Sequence, residues 1–362
     1  MNDRSDAHYV RFMARALQLA RRGLYTTDPN PRVGCVIVAG GEIVGEGWHE
    51  RAGGPHAEVA ALRSAGERAR GATAFVTLEP CCHTGRTPPC TNALIEAGID
   101  HVVAAMTDPN PLVAGQGFAR LRERGITADR GVLEAEAAAV NPGFVKRMAS
   151  GLPFVRLKIA ASLDGRTALA SGESQWITGA AARADGHRLR ARSSAVLTGI
   201  GTVLADDPRM TARDTGLEMT RQPLRVVLDG ELRTPRQARV LNDGGRTVVF
   251  TAADVAGELA GATIERVSRK NGHLDLEAVL CRLAEMECNE VLVEAGPRLN
   301  GALLAAGFVD EIVVYLAPTL LGDAGRGMFA LPGLTTLAVR PRLALAEQRR
   351  LGEDWRLTYK LL

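Results

Sequence analysis

The feature that most constrains this chain is a split set of metal-binding residues near its start. It reads His56-Ala57-Glu58 and then, twenty-two residues after Glu58, Pro80-Cys81-Cys82-His83-Thr84-Gly85-Arg86-Thr87-Pro88-Pro89-Cys90. One histidine and two cysteines can hold a zinc ion and leave its fourth position open to water, the arrangement of a catalytic rather than a closed structural site. The fold must therefore bring residues 56, 81 and 90 to one point. Local pattern suggests how: His56 starts a helix, Cys81 follows a strand, and Cys90 opens the next helix. Two helix N-termini then converge, and their positive ends favour thiolate over thiol.

The residue types fix the expected chemistry. Zinc lowers the pKa of a bound water towards neutrality. Glu58 is spare as a ligand and can carry the water's proton to a ring nitrogen and a leaving amine. H-x-E followed by P-C-x-x-C is the pattern of zinc deaminases acting on nucleobases. Here eight residues, not two, separate Cys81 from Cys90, so a generic nucleoside deaminase fits poorly. The bland alternative is a structural zinc knuckle with Cys82 or His83 as fourth ligand. It leaves Glu58 without a role, and neighbouring Cys81 and Cys82 point apart on an extended turn. Cys82 is read as a packing residue beside the site.

Bulk properties narrow the class. The chain has 362 residues, so two domains are expected. A net charge of +3 gives no electrostatic footprint for a nucleic-acid partner. No apolar export segment and no membrane-spanning run is visible. Three of the six cysteines crowd one short segment, which favours metal binding in a reducing cytoplasm over disulfides. Cys35, Cys281 and Cys288 are expected to be buried as small apolar residues. His8, His101, His187 and His273 are isolated and read as ordinary histidines.

Periodicity predicts an α/β chain. In the first half, helices are expected near 6–22, 56–65, 90–97 and 115–124, with strands at 33–39, 42–47, 73–78 and 101–106. The run Met148-Ala149-Ser150-Gly151-Leu152-Pro153 reads as a turn-forming boundary, so domains are placed at 1–148 and 152–362. In the second half, strands are expected at 154–160, 195–199, 224–229, 246–251, 290–294 and 311–317, with helices at 179–192, 275–287 and 298–306. Gly199-Ile200-Gly201-Thr202 is a weak glycine signal and does not extend to a full dinucleotide fingerprint. Val291 to Gly301 is stronger: a strand, a turn containing Gly296 and a helix start, which together can bind an anion through backbone N–H groups. Lys158 lies on an apolar strand, where a lysine is costly to bury unless it is used. Arg190 and Arg213 are candidates for a phosphate, which the forked guanidinium suits.

Several stretches carry a family resemblance. In the first half these are Asn30-Pro31-Arg32-Val33-Gly34, the approach from His49 to Glu58, and the run from Thr77 to Cys90. In the second half they are Leu157 to Gly165, Ser174-Gln175-Trp176-Ile177-Thr178, Asp206-Asp207-Pro208 and Glu294-Ala295-Gly296-Pro297. The chain resembles, over nearly its whole length, the bifunctional deaminase–reductases of riboflavin biosynthesis. That resemblance implies a cytidine-deaminase-like α/β/α domain using Zn2+, followed by a dihydrofolate-reductase-like α/β domain using NADPH. It implies a phosphoribosylaminopyrimidine substrate, deaminated and then reduced from ribosyl to ribityl, and a homo-oligomer held by the second domain. By position, Asn30, His49, His83 and Arg86 line the deaminase pocket, while Ser174, Arg190, Arg213 and Glu294 contact the reductase substrate. Ala160, Trp176, Thr202, Asp206, Gly296, Pro297, Arg298, Leu299 and Asn300 contact the cofactor, with Lys158 and Asp206 as the polar candidates for reductase chemistry. Relatives often carry Ser at Cys82 and at Gly230. Two rivals remain at this point: a nucleoside or RNA deaminase with an accessory domain, and a zinc-stabilised binding protein.

Overall fold

The computed structural model describes residues 3–83, 88–111, 113–217, 219 and 221–362. The chain divides into two compact units, one running to Gly151 and one from Leu152.

The first unit opens with helix α1 (Asp3–Ala20), followed by strands β1 (Gly34–Ala39) and β2 (Glu42–Trp48), helix α2 (Ala57–Ala65) and strand β3 (Thr73–Val76). Helix α3 (Cys90–Glu96), strand β4 (His101–Ala104), helix α4 (Gln116–Glu123), strand β5 (Thr127–Arg130) and helices α5 (Glu134–Val140) and α6 (Pro142–Ser150) complete it. The strands form one sheet in the order β2-β1-β3-β4-β5. β1 pairs antiparallel with β2 and β3, whereas β3, β4 and β5 run parallel.

Strand residues alternate between two cores, as a pleated sheet covered on both faces requires. Cys35, Ile37, Ala74, Val76, Val102 and Ala104 pack with α2, α3 and α4 through Ala57, Ala61, Leu94, Phe118 and Leu121. Val36, Val38, Phe75 and Val103 pack with Phe12, Met13, Leu17, Val140 and Phe144 of α1, α5 and α6. Missing side chains set the spacing on both faces. A Cβ at Gly34 would lie 2.0 Å from the Ala16 carbonyl oxygen of α1, and one at Gly47 would lie 2.4 Å from the Ala61 nitrogen of α2.

The second unit begins with strands β6 (Phe154–Ser162) and β7 (Arg166–Ala168), helix α7 (Ala180–Arg192), strand β8 (Ala195–Gly199) and helix α8 (Ile200–Asp206). Next come β9 (Leu224–Leu228), α9 (Arg239–Asn242), β10 (Thr247–Ala252), β11 (Thr263–Val267), β12 (Arg269–Lys270), β13 (His273–Leu274) and α10 (Leu276–Glu285). The chain closes with β14 (Glu290–Val293), α11 (Pro297–Ala305), β15 (Glu311–Ala317), β16 (Arg326–Gly327), β17 (Leu343–Leu351) and β18 (Asp354–Leu361). Nine strands form one sheet in the order β11-β10-β9-β8-β14-β6-β15-β18-β17. From β11 to β15 every pairing is parallel, and β18 and β17 add an antiparallel edge.

Strand direction across this sheet creates a crevice. From β8 the chain moves outwards through β9 and β10, whereas from β14 it crosses to β15 on the other side. The carboxyl ends of neighbouring β8 and β14 therefore flank a topological switch point, where open α/β sheets bind ligands.

Three expectations need correction. Met148 to Ser150 are not turn but the last residues of α6, with the Ser150 hydroxyl donating back to the Lys146 carbonyl at 2.8 Å. The stop is Gly151 alone, at φ 70°, a conformation glycine adopts without penalty. Cys281 is exposed on α10, whereas Cys35 and Cys288 are buried. The third concerns the region beyond residue 317, where periodicity suggested nothing. β17 and β18 lie there, and β17 is exposed along most of its length, so it lacks the alternation that marks a half-buried strand.

The contact at Gly34 yields a stability prediction. Gly34→Ala must push α1 away from the sheet and should cost about 1–3 kcal/mol, read as a lower urea midpoint for the first unit with little change in the second.

Candidate functional site

The sheet ends of the first unit build the metal-binding cluster. His56 is the N-cap of α2 in extended conformation (φ −72°, ψ 163°), Cys81 follows the end of β3, and Cys90 is the first residue of α3. The three ligand atoms all lie within 4.8 Å of one another. His56 Nδ1 is 3.1 Å from Cys90 Sγ and 3.6 Å from Cys81 Sγ. Tetrahedral zinc with bonds of about 2.0–2.3 Å spaces such atoms about 3.3–3.8 Å apart, so the residues fit the ion. Among the described residues, neither Cys82 nor His83 joins the cluster, and His83 is exposed.

The electrostatics already favour a metal. The Cys90 thiol and the backbone N–H of Cys90 both bond to Cys81, and with His56 they hold the Cys81 thiol down to about 4. The same pairing and its burial push the Cys90 thiol up. Glu58, in the first turn of α2, is only 3% exposed and is hydrogen-bonded to Cys90. Burial raises its carboxyl above the ordinary range, and the nearby Cys81 charge adds to this. A buried carboxyl with raised proton affinity beside a metal site suits a proton carrier.

Asn30 and His49 stand next to this cluster. His49 Nδ1 lies 2.9 Å from the Pro55 carbonyl, so that nitrogen carries the hydrogen, and Nε2 accepts from Asn30 Nδ2 at 3.0 Å. The pairing orients the Asn30 amide with its oxygen available. The rings of His49 and His56 meet edge-on with centroids 5.4 Å apart. Arg86 lies outside the described residues.

Glu79, which pattern reading passed over, is buried at 3% exposure. Its carboxylate accepts from the backbone N–H groups of Asp108 (3.2 Å), Gly115 (2.9 Å), Gly117 (2.9 Å) and Phe118 (3.3 Å). It thereby caps α4 and ties the loop after β4 to the turn that carries Cys81. A glutamate directly before Pro80-Cys81 was the available signal, but its partners lie 29 to 39 residues away.

In the second unit the switch-point crevice is bounded by two helix starts, Gly199 before α8 and Gly296 before α11, neither capped by a side chain. A cofactor diphosphate fits such uncapped N–H groups. Thr202 lies in the first turn of α8, whereas Asp206 ends that helix, about 6 Å further along its axis. Pro297 and Arg298 open α11. Leu299 packs beside Gly199, 3.6 Å from where its Cβ would be. Asn300 is a clasp rather than an exposed contact: it is 2% exposed, and its Nδ2 donates to the Ala295 and Met328 carbonyls. Ala160 and Ser174 are half-buried. Trp176 is 71% exposed, with the Arg183 guanidinium 4.7 Å from its ring centroid.

Arg190 and Glu294, read from sequence as separate contacts, form one bidentate pair: Nε and Nη2 reach the carboxylate at 2.6 and 2.8 Å. The Glu294 carboxylate also lies 3.8 Å from Lys158 Nζ. Burial opposes its charge, but Arg190 and Lys158 hold it down to about 2. Arg190 and Arg213 meet at Thr211, bonding its carbonyl (3.0 Å) and its hydroxyl (2.9 Å) respectively.

Residues 7–106 match the cytidine and deoxycytidylate deaminase zinc-binding region, and residues 153–357 match the RibD C-terminal domain. The riboflavin biosynthesis protein RibD of Escherichia coli is 53% identical over 95% of this chain and 96% of its own length. That of Haemophilus influenzae is 48% identical over 96% of each.

This chain belongs to the RibD family.

Solved structures agree. Acinetobacter baumannii RibD superposes with a TM-score of 0.91 at 45% identity, covering 99% of both chains. A Thermotoga maritima diaminohydroxyphosphoribosylaminopyrimidine deaminase/5-amino-6-(5-phosphoribosylamino)uracil reductase gives 0.86 at 36% identity, covering 99% of this chain and all of the other. The chain is thus a bifunctional deaminase and reductase of riboflavin biosynthesis, with a zinc-binding deaminase domain and a reductase domain of an NADPH-using family. Among the described residues no helix is long and apolar enough to cross a membrane.

Glu79 supplies the prediction here. Glu79→Gln replaces a four-fold acceptor with an amide that must point N–H groups at N–H groups. It should cost the first unit about 1–3 kcal/mol, measured by calorimetry.

Proposed function

We propose that the first domain deaminates 2,5-diamino-6-(5-phosphoribosylamino)pyrimidin-4(3H)-one and that the second reduces the ribosyl group of the product to ribityl with NADPH. The observation that carries this is the His56–Cys81–Cys90 cluster with Glu58 buried against it. When bound, zinc supplies a Lewis acid that makes a coordinated water acidic near neutral pH. Glu58 carries two protons in turn at its carboxylate, the first to the ring nitrogen and the second to the departing amine. Asn30, oriented by His49, reads the pyrimidinone edge, and we assign His83 and Arg86 to its substituents or phosphate by their place in the sequence between the two cysteines.

In the reductase, NADPH when bound would supply the hydride for ribose C1, whose bond to the ring oxygen opens as that oxygen gains a proton. Lys158 and Asp206 are the groups we place in protonation or orientation, with Glu294 and Ser174 at the sugar and pyrimidine. Arg213 holds the phosphate, supported by Arg190. The Ala160, Trp176, Thr202 and Gly296-to-Leu299 positions border the cofactor, with buried Asn300 holding that turn in place. Incubation with the diaminopyrimidinone should exchange one amine for oxygen without NADPH and add two further hydrogens with it, read by product mass. Turnover of cytidine or transfer RNA in place of this substrate would return the rival deaminase reading.

The setting follows from the same features. None of the six cysteines is joined in a disulfide, which supports a cytoplasmic enzyme. A net charge of +3 supports a small-molecule rather than nucleic-acid partner. Exposed Leu334, Leu337, Val339, Leu343 and Leu345 run into and along edge strand β17, which supports a homo-oligomer through the reductase domain.

Two variants test the deaminase assignments. Cys81→Ala should lose zinc while Cys82→Ala keeps it, by metal analysis of purified protein; the opposite result means the wrong thiol was chosen. Glu58→Gln should keep zinc and reductase activity but lose roughly 10²–10⁴-fold in deamination. A loss within about threefold would remove Glu58 as proton carrier.

A further inference from the structure

The reductase reading leaves unexplained a buried tyrosine beneath Lys158. β6 and β15 run parallel with Lys158 opposite Val313 and Ala160 opposite Tyr315. Tyr315, two residues beyond Val313, therefore shares a face with Lys158 and lies diagonal to it. Its ring is 1% exposed, and its centroid is 5.8 Å from Lys158 Nζ. The ring cannot swing away, because its hydroxyl donates to the buried Asp185 carboxylate of α7 at 2.7 Å. Arg356 of β18, opposite Tyr315 in register, donates to the same Asp185 oxygen at 3.2 Å. One residue on from Asp185, Gly186 passes alongside the lysine, with its Cβ position 3.8 Å from Lys158 Cε.

From the observed contacts we infer that Tyr315 is a positioning residue of the reductase, whose ring face, fixed by Asp185 and Arg356, holds the Lys158 ammonium towards the substrate side of the crevice. The inference rests on the reading of Lys158 as a catalytic group. The physical case is a division of labour. The Lys158 stem is flexible, with four rotatable bonds, and its partner Glu294 is already claimed by the Arg190 fork. An ion pair at 3.8 Å to a shared carboxylate sets charge but little direction. An aromatic face is attractive to a cation within about 6 Å of its centroid and adds a second fixed point. The Glu294 carboxylate after β14 faces Lys158, Arg190 and His187 of α7 act on that same carboxylate, and Asp185 and Arg356 lie behind the ring. Tyr315 meets the ammonium through a neutral face, so removing it changes lysine placement without adding or deleting a charge.

Reductase turnover is measured with purified deaminated substrate and NADPH, for wild type, Tyr315→Phe, Tyr315→Leu and Lys158→Ala, with thermal unfolding of the second unit as the check on folding. Tyr315→Leu should lower kcat about tenfold with both KM values little changed. Tyr315→Phe keeps the ring face but loses the Asp185 bond that fixes it, and should recover part of the kcat lost in Tyr315→Leu. Replacement of Tyr315 by pentafluorophenylalanine keeps the shape of the Phe variant but reverses the charge of the ring face, and it should reproduce the Leu phenotype. This holds the test open where the Leu variant does not fold. A Leu or pentafluoro variant with wild-type kcat, beside an inactive Lys158→Ala, overturns the positioning role alone. Wild-type turnover in Lys158→Ala instead removes Lys158 from the mechanism and the role of Tyr315 with it.

Discussion

Ionised groups held away from water are the constraint around which both halves of this protein are arranged. An unpaired buried charge is too costly to survive, so each must find neutralising partners or hydrogen bonds. The first domain answers with backbone: four N–H groups converge on Glu79, and a backbone N–H meets the Cys81 sulfur. The second answers with side chains: Arg190 grips Glu294, Arg156 lies between Glu290 and Glu311, and Arg356 compensates Asp185. Backbone partners give a rigid frame suited to fixed metal ligands. Side-chain partners leave groups that can exchange one charge for another when a charged substrate arrives.

Helix starts do the placing in both domains. His56 and Cys90 stand at the heads of α2 and α3, and Gly199 and Gly296 at the heads of α8 and α11. Strands β8 and β14 lead almost directly to Gly199 and Gly296, whereas longer loops bring the chain to His56 and Cys90. The metal cluster and the proposed cofactor crevice are thus two uses of helix starts, with sulfur and imidazole added in the first and glycine in the second.

The metal cluster was legible because its grammar is local. His56, Glu58, Cys81 and Cys90 are rare residue types at informative spacing, and the folded chain gathers His56, Cys81 and Cys90 as spacing required. The central strands of both sheets were legible because their apolar runs are continuous, whereas the largely exposed edge strands β5 and β11 carry no such run and went unread. What escaped was long-range or unpatterned. Glu79 looks like any acidic residue until the loop 29 to 39 residues later folds over it. Arg190 and Glu294 are 104 residues apart, and no local rule pairs them. β17 carries polar and apolar residues without alternation because neither face is covered within one chain. α6 absorbed a segment read as linker because Met148 and Ala149 are good helix formers whatever their flanks.

The closeness of α2 to its sheet has a consequence for how this protein can vary. Ala57 and Ala61 are fully buried, and they face Gly45 and Gly47 across a gap that admits no further carbon. His56 and Glu58 flank Ala57, so the reactive groups are aimed by atoms that are missing rather than by atoms that touch them. Lineages of this chain can therefore lose the deaminase by gaining a single methyl group at a residue with no chemistry of its own. Around the metal cluster the smallest side chains are those with the least room to change, and an inventory of reactive groups alone would pass over them.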